Sequence, residues 1–267
     1  MKFKSLVAII VATSTLLLSG CGDKETDNST IKVGVIAGAE AQVAEVAAKV
    51  AKEKYDLDVQ LVTFTDYVTP NAALDDGSVD VNAFQHKPYL DQQVSDRGYK
   101  LTIAGNSFVY PIAGYSKQVK SVDELQDRDR IAVPNDPTNL GRSLILLEQQ
   151  GLITLREGSG LQATVRDIVA NPKNLAIIEL DAAQLPRSLD DVALSIINTT
   201  YASSLGLTPQ KDGIFVEDKE SPYVNLIVAR EDNVNDENVQ NFIKSYQTEE
   251  VYNAALDIFK DGVIKGW

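Results

Sequence analysis

The sequence has one cysteine, one histidine, one tryptophan and one methionine among its 267 residues. With a single cysteine there can be no internal disulfide, so the fold has to be stabilised by packing. Most zinc sites need several histidines or cysteines, and one of each is too few for them. We therefore predict no metal site and no bound cofactor.

Motifs that are typical of catalysis or nucleotide binding are also missing. The sequence contains no Walker A motif and no G-x-S-x-G nucleophile elbow. The segment GSGLQA at 158–163 matches part of a dinucleotide fingerprint, but it lies far from the first strand, where that fingerprint belongs. Carboxylates are plentiful, yet their spacing selects no acid–base pair. The sequence therefore predicts no catalytic residue.

Positive charge is scarce, since 25 Lys and Arg residues stand against 38 Asp and Glu residues and give a net charge of −13. Loss of the first twenty residues would remove Lys2 and Lys4 and leave −15. A surface this negative repels phosphate backbones, so nucleic acid is not expected as a partner. The overall charge says little about the sign of a single pocket.

The N-terminal twenty residues have the pattern of a signal peptide. Lys2 and Lys4 precede an apolar run from about Leu6 to Leu18, which is short for a bilayer-spanning helix. No later stretch of the sequence approaches the length and apolarity of a transmembrane helix. We therefore assign residues 1–20 to a signal peptide that is removed from the mature protein.

The apolar run ends in LSGC, residues 18–21, which resembles a bacterial lipobox. In a lipobox the cysteine is lipidated and becomes the new N-terminus, and Cys21 is the only cysteine present. The alternative is a plain secretion signal with an incidental cysteine. The polar segment 21–30 reads as a flexible tether. We predict a protein anchored to the cell membrane through Cys21 and facing the periplasm or the cell exterior.

From Ile31 onward, apolar strand patterns alternate with helical patterns, which is typical of an α/β fold with mainly parallel sheets. Two such sets predict two lobes, one from 31–107 completed by 226–267 and one from 108–225. A ligand cleft is expected between the lobes, at the carboxyl ends of the strands. Helices are also predicted after Ser121, near 164–171 and continuously over 237–259.

One set of candidate site residues is aromatic. Tyr67 follows one predicted strand, and Phe84, His86 and Tyr89 follow another in the segment VNAFQHKPYL. Such rings could form a slot for an apolar or sulfur-containing side chain. His86 could be a catalytic base, a metal ligand or a pocket wall that donates a hydrogen bond. On the residue types alone, the aromatics could equally be ordinary core.

Two further sets are polar. In NDPTNLGRSL, Asn139 and Arg142 share a face in the first turn of a predicted helix, where free N–H groups and a guanidinium could hold a carboxylate. Arg142 could instead be an exposed arginine paired to a surface acid. Asn198 and Asn225 each interrupt an apolar run, so their amides need partners, either a ligand or a loop backbone.

Five segments, in their order along the chain, resemble the methionine-binding lipoproteins of the NlpA family. They are LSGC, VNAFQHKPYL, NDPTNLGRSLILL, INTTYA and SPYVNLIVAR. The resemblance covers the chain from Ile31 to Trp267 and implies a type II periplasmic-binding-protein fold that closes over its ligand. It implies a carboxylate grip by Arg142 and hydrogen bonds from the three asparagines to the amino and carboxylate ends. The residues that it places around the ligand are Tyr67, Phe84, His86, Tyr89, Asn139, Arg142, Asn198 and Asn225.

The function that the resemblance implies is capture of methionine, with L-methionine as the expected enantiomer, for the permease and ATPase of an ABC importer. Two other classes stay open on the residues. One is an enzyme that uses His86 as a general base, and the other is a surface lipoprotein that acts as an adhesin. Another amino acid, a methionine derivative or a dipeptide also remains open as the ligand.

Overall fold

The computed structural model describes residues 29–218, 222–260 and 262–267. The predicted signal peptide, Cys21 and most of the predicted tether lie outside the described residues. The strands are β1 (Thr30–Ile36), β2 (Asp58–Phe64), β3 (Val81–His86), β4 (Leu101–Val109), β5 (Ala113–Tyr115), β6 (Arg130–Pro134), β7 (Thr154–Leu155), β8 (Ile168–Ala170), β9 (Ala176–Leu180), β10 (Leu194–Ile197), β11 (Phe215–Val216), β12 (Val224–Arg230) and β13 (Ile264–Lys265).

Helices alternate with these strands, as predicted for an α/β fold. They are α1 (Ala39–Tyr55), α2 (Thr69–Asp75), α3 (Lys87–Arg97), α4 (Pro137–Gln149), α5 (Leu185–Ser188), α6 (Thr199–Ala202), α7 (Pro209–Asp212), α8 (Glu237–Tyr246) and α9 (Glu249–Phe259). Short 3₁₀ turns lie at Val122–Glu124, Gly160–Gln162, Val165–Asp167, Ala182–Gln184 and Ser203–Leu205. Within the described ranges, no helix has the length and apolar character needed to cross a membrane.

Two sheets form the centres of two lobes. The first has the strand order β13-β4-β12-β3-β1-β2, and the second has the order β11-β5-β10-β6-β9. In the first sheet β1 pairs in parallel with β2 and β3, whereas β12 runs antiparallel to β3 and β4. The two lobes and their mixed α/β character agree with the predicted fold class. The expectation of mainly parallel sheets is wrong, because β12 and β4 add antiparallel pairs to the first sheet and β5 pairs antiparallel with β10 and β11 in the second.

The chain passes between the two sheets twice. β4 ends at Val109 in the first sheet, and β5 begins at Ala113 in the second. β11 ends at Val216 in the second sheet, and β12 begins at Val224 back in the first. Helices α8 and α9 then pack against α1 on the first lobe. The predicted boundaries, 31–107 with 226–267 for one lobe and 108–225 for the other, stay predictions.

The core of the first lobe follows from its apolar spacing. Val43, Ala47 and Val50 recur at helical spacing on α1, and all are fully buried against the sheet. Val33 and Val35 occupy alternate positions along β1, on the face of the sheet that these α1 residues cover. Burial of this apolar surface stabilises the lobe, so the strand ends can carry polar side chains towards the cleft.

Three of the predicted helices are wrong in extent or type. Near 164–171 a single 3₁₀ turn leads into β8, which pairs with β7, because cross-strand pairing outweighs the local helical pattern. After Ser121 only one 3₁₀ turn forms, and the Ser121 side chain makes no cap hydrogen bond. The helix predicted over 237–259 is interrupted, since Thr248 caps the start of α9 with its side chain.

The GSGLQA segment has a packing role. Its 3₁₀ turn Gly160–Gln162 lies against α4, where a Cβ at Gly141 would come within 2.2 Å of the Leu161 carbonyl oxygen. Glycine at 141 therefore allows the turn to approach the helix that carries Arg142.

Candidate functional site

A cavity lies between the two lobes. It encloses about 350 Å³ of space that atoms do not fill, part of it open to solvent. The structure brings every ligand residue predicted from the sequence to this one cavity, although they come from distant parts of the chain. They are Tyr67, Phe84, His86, Tyr89, Asn139, Arg142, Asn198 and Asn225.

The wall from the first lobe is aromatic. The Tyr67 ring lies 5.8 Å from Phe84, 6.3 Å from Tyr89 and 4.9 Å from Tyr201, measured between ring centroids. The Tyr89 hydroxyl donates to the Tyr67 carbonyl oxygen at 2.7 Å. Tyr201 comes from α6 on the second lobe, so the ring cluster also joins the lobes. These faces offer an apolar slot with polar tips directed at the backbone.

His86 ends β3 and caps α3. Its Nδ1 accepts from the Tyr89 backbone N–H at 3.2 Å, which assigns the ring proton to Nε2. Nε2 then donates across the cleft to Asn139 Oδ1 at 3.2 Å. Burial, with a further contribution from the Arg142 charge, lowers the pKa of His86 to about 3. The imidazole is therefore neutral at physiological pH.

The wall from the second lobe begins at the N-terminus of α4. Asp136 caps this helix by accepting from the Asn139 backbone N–H at 2.9 Å, and it also accepts from the Asn139 side chain. Burial raises the pKa of Asp136. The helix start that we expected to help a ligand carboxylate is thus already occupied by a carboxylate of the chain.

Asn198 carries an unused acceptor. Its Nδ2 donates to Asn139 Oδ1 at 3.0 Å. Its Oδ1 is buried and has no hydrogen-bond partner among the described residues. A buried amide oxygen without a partner is costly, and here it belongs to a residue that lines the cavity. The arrangement suits a ligand group that donates hydrogen bonds, such as an ammonium.

Arg142 is held on more than one side, with its side chain only 3% exposed. Nε donates to Glu217 Oε1 at 2.8 Å, and Nη2 donates both to Glu217 Oε2 and to the Tyr110 carbonyl oxygen. The guanidinium carbon lies 4.2 Å from the centroid of the Tyr223 ring. The two-pronged edge expected to grip a ligand thus holds Glu217. No acceptor in the described part of the chain bonds Nη1.

Asn225 lies within β12, directly opposite His86 in the strand register. Its Nδ2 donates to the Phe84 carbonyl oxygen at 3.0 Å, so one side of the amide is used by the backbone of β3. The asparagine that interrupts the apolar run of this strand is therefore bonded to a neighbouring strand and also lines the cavity.

Several lining residues were missed from the sequence. Thr199 and Thr200 stand next to Asn198 and could have been found from that position alone, but Gln85 and Tyr110 carry no local signal that sets them apart. Glu40 was also missed, as a contact of the lining residue Thr200. It is buried in the first turn of α1, and its Oε1 accepts from Thr200 Oγ1 across the lobes at 2.5 Å.

The arrangement can bind but has no evident reactive group. Both nitrogens of the only histidine are engaged, and its low pKa makes it a weak base. In the described residues, no group of three or more His, Cys, Asp or Glu side chains could hold a metal ion. The cavity instead combines an apolar slot, a guanidinium nitrogen and an amide oxygen, which are the groups that a free α-amino acid requires.

Known proteins resemble the chain over nearly its whole length. A family model described as NlpA lipoprotein matches residues 31–267. The chain is 78% identical to the probable D-methionine-binding lipoprotein MetQ of Vibrio cholerae, with 100% of both chains covered.

Solved structures agree with this match. A nutrient-binding protein of Burkholderia cenocepacia bound to methionine is 49% identical at a TM-score of 0.87, covering 89% of this chain and 100% of its own. A periplasmic substrate-binding protein of an ABC transporter from Coxiella burnetii is 48% identical at a TM-score of 0.86, covering 88% and 100%. By sequence and by fold, this chain belongs to the NlpA lipoprotein family.

Proposed function

We propose that the chain is a lipid-anchored substrate-binding protein that captures methionine between its lobes and delivers it to an ABC importer. The observation that carries the proposal is the interlobe cavity, in which an aromatic wall faces a guanidinium and an unpartnered amide oxygen. The Burkholderia relative was solved with methionine bound, and the Vibrio relative is named for D-methionine. The proposal therefore extends to both enantiomers.

Each part of methionine has a counterpart in the cavity. The thioether side chain lies against Tyr67, Phe84 and Tyr89, since sulfur packs favourably near aromatic rings. The carboxylate bonds Nη1 of Arg142, and the ammonium donates to Oδ1 of Asn198. These contacts come from both lobes, and a ligand that touches both lobes favours the closed state.

Delivery follows from closure and from the anchor. The closed form presents both lobes to the permease of an ABC importer, whose ATPase drives uptake. Membership of a lipoprotein family and the LSGC segment support acylation of Cys21. The lipid keeps the protein close to the importer at a high effective concentration, on the periplasmic or outer face of the membrane.

The anchor has its own test. Cys21→Ser should leave the protein unprocessed or soluble, while methionine binding stays as in the wild type. Detergent phase partitioning of both forms measures the attachment, and calorimetry measures the site. Identical partitioning of the two forms would rule out a lipid on Cys21.

An enzyme that uses His86 as a base is the less favoured alternative. Such a base needs a free nitrogen and a nearby reacting atom, whereas both His86 nitrogens are bonded within the protein. An adhesin would need an exposed apolar patch, and the exposed large apolar side chains are few in the described residues. We therefore propose a binding protein without catalytic activity.

Mass spectrometry and calorimetry test the function together. Native mass spectrometry of the purified protein should detect a retained small ligand with the mass of methionine. Calorimetric titration of ligand-free protein with L-methionine, D-methionine, N-acetylmethionine, glycylmethionine and other free amino acids then ranks the ligands. The proposal fails if neither methionine enantiomer binds more tightly than the rest of the panel. Turnover of any added amino acid would instead support the enzyme.

A further inference from the structure

Glu217 holds Arg142 from the side that faces away from the ligand cavity. Its carboxylate takes both Nε and Nη2 of the guanidinium, and the two side chains are only 3% and 11% exposed. Glu217 is itself fixed, because its backbone N–H donates to the Ile112 carbonyl oxygen at 3.0 Å. The Ile112 N–H in turn approaches Glu217 Oε2 at 3.4 Å. The acid is therefore anchored to Ile112, the residue that directly precedes β5.

The position of Glu217 argues against one simple explanation of the pair, that the acid stands where a ligand carboxylate would bind. Arg142 lines two cavities, the interlobe one and a second, outer one beside Leu146 and Tyr223. Of these two cavities, as the described residues line them, Glu217 belongs to the outer one and not to the interlobe one. Its carboxylate thus bonds Arg142 from outside the interlobe cavity, and Nη1 is left without an acceptor among the described residues.

The other contacts of the guanidinium also hold Arg142 in one orientation. The Tyr110 carbonyl oxygen accepts from Nη2 at 3.0 Å, and the Tyr223 ring covers one face. Rotation of Arg142 about its long side chain would break the contacts on all of these sides. A flexible arginine loses much side-chain entropy when it grips a ligand, and a guanidinium already held in place loses less.

We propose that Glu217 is a positioning residue for ligand binding, which fixes Arg142 so that Nη1 meets the ligand carboxylate. The inference rests on the proposed function, since it assigns the carboxylate of an amino acid to that nitrogen. Glu217 also neutralises the Arg142 charge inside the lobe. The pair can then accept a zwitterion, whose own charges cancel, without leaving a net charge buried.

Loss of Glu217 should act on one part of the ligand only. Without its partner, the guanidinium turns towards the outer cavity, which also carries Asp218 and is open to solvent. The carboxylate contact is then weakened, while the aromatic slot and Asn198 are unchanged. Methioninol keeps the thioether and the ammonium but has no carboxylate, so it reports whether the loss is confined to that group.

Calorimetry on four proteins tests the proposal: wild type, Glu217→Ala, Glu217→Gln and the control Glu157→Ala, which removes an exposed acid of the same lobe. We expect Glu217→Ala to lower the affinity for methionine at least tenfold and the affinity for methioninol less than threefold. Glu217→Gln keeps the shape and one acceptor, so its loss for methionine should be intermediate. Glu157→Ala should match the wild type with both ligands.

Three results of these titrations would contradict the role proposed for Glu217. Wild-type methionine binding by folded Glu217→Gln would overturn the positioning role, because the carboxylate would then contribute nothing to binding. Tighter binding would overturn it as well, because it would mean that the acid competes with the ligand. An equal loss for methionine and methioninol would also overturn it, since the effect would then be on the fold as a whole. If the wild type binds no methionine, the proposed function fails first, and this inference fails with it.

Discussion

The two walls of the cavity are built differently. The first-lobe wall consists mainly of aromatic rings that pack against one another, such as Phe84 and Tyr89, whose centroids lie 6.0 Å apart. The second-lobe wall consists of polar groups bonded over long separations, such as Arg142 with Glu217, 75 residues apart, and Asn198 with Asn139, 59 apart. One wall thus depends on packing and the other on hydrogen bonds between distant segments.

This difference predicts unequal tolerance to change. An apolar wall that loses one ring keeps its other contacts, so the cost depends on the cavity left behind. When a buried polar wall loses one group of a hydrogen-bonded pair, the remaining group has no partner. The protein then bears the full cost of desolvating that group. Substitutions in the second-lobe wall should therefore have larger effects on stability and binding than substitutions in the first.

The largest effect is expected for Arg142→Ala. It removes the ligand carboxylate contact and should weaken methionine binding by more than about 2 kcal/mol. It also leaves Glu217 without its ion-pair partner, which should lower the free energy of unfolding by about 3–5 kcal/mol. Lysine should not restore binding, because one ammonium cannot reproduce the guanidinium geometry.

Calorimetry and thermal unfolding measure these two losses separately. Arg187→Ala serves as the matched control, since Arg187 is exposed on the same lobe. Near wild-type methionine affinity in folded Arg142→Ala would contradict the assigned role of the arginine.

The second effect concerns Glu40, which lies where the walls of the two lobes meet. Its Oε2 is buried without a partner in the described residues, and burial raises its pKa from 4.5 to about 8. The folded protein then holds a proton that the unfolded chain releases above about pH 4.5. The contribution of Glu40 to stability is therefore complete below that pH and is lost as the pH rises to about 8.

Glu40→Gln should remove this pH dependence, because the amide stays neutral and can still accept from Thr200. We expect the free energy of unfolding of the wild type, relative to the variant, to fall by more than about 2 kcal/mol between pH 5 and pH 8.5. Denaturant unfolding at several pH values measures it, with exposed Glu45→Gln as the control. Parallel pH profiles of wild type and Glu40→Gln would show that the carboxyl is not protonated in the fold.

The sequence contained the signal for both walls but not for what supports them. Phe84, His86 and Arg142 were predicted because they stand in motifs that follow strands, and strand ends converge on a cleft. Glu217 and Glu40 were not predicted, because their partners are brought close only by tertiary folding. The roles proposed for the lining residues stay predictions until ligands are titrated.

The secondary structure was also predicted incompletely wherever it depends on contacts between distant parts of the chain. The periodicity of α1 was sufficient to predict it, since its buried stripe repeats along the whole helix. The segment 164–171 looked helical locally, yet Ile168–Ala170 pairs with Thr154–Leu155 in a hairpin. Local pattern cannot report a pairing partner, so a strand that forms through such a pairing was predicted as a helix.

A smaller effect, on the aromatic wall, is expected for Phe84→Ala. The loss of one ring from the slot should cost about 2 kcal/mol of methionine affinity and much less for 2-aminobutyrate, whose side chain is too short to fill it. The ratio of the two affinities therefore falls, which no defect in the carboxylate contact would cause. Competition titrations measure the ratio. Phe242→Ala, in the core of the first lobe, should reduce stability and leave the ratio unchanged.

The smallest effect is expected at His86, because its two bonds can be replaced in part. His86→Asn keeps an acceptor at the start of α3, where asparagine is a good cap, but it does not reach Asn139 across the cleft. His86→Ala loses both bonds and should weaken methionine binding by about 1–2 kcal/mol. The asparagine variant should bind better than alanine if hydrogen bonding dominates, and no better if the ring itself matters.

The low pKa of His86 adds a pH test with a definite sign. The unfolded chain takes up a proton below about pH 6.5, whereas the folded imidazole stays neutral until about pH 3. The contribution of His86 to stability is thus complete above pH 6.5 and is lost as the pH falls towards 3. Methionine affinity should not change through this group between pH 5 and pH 8, with or without a chelator. A chelator-dependent affinity in the wild type would contradict the role of His86 as a neutral wall, because it would require a metal ion on the imidazole.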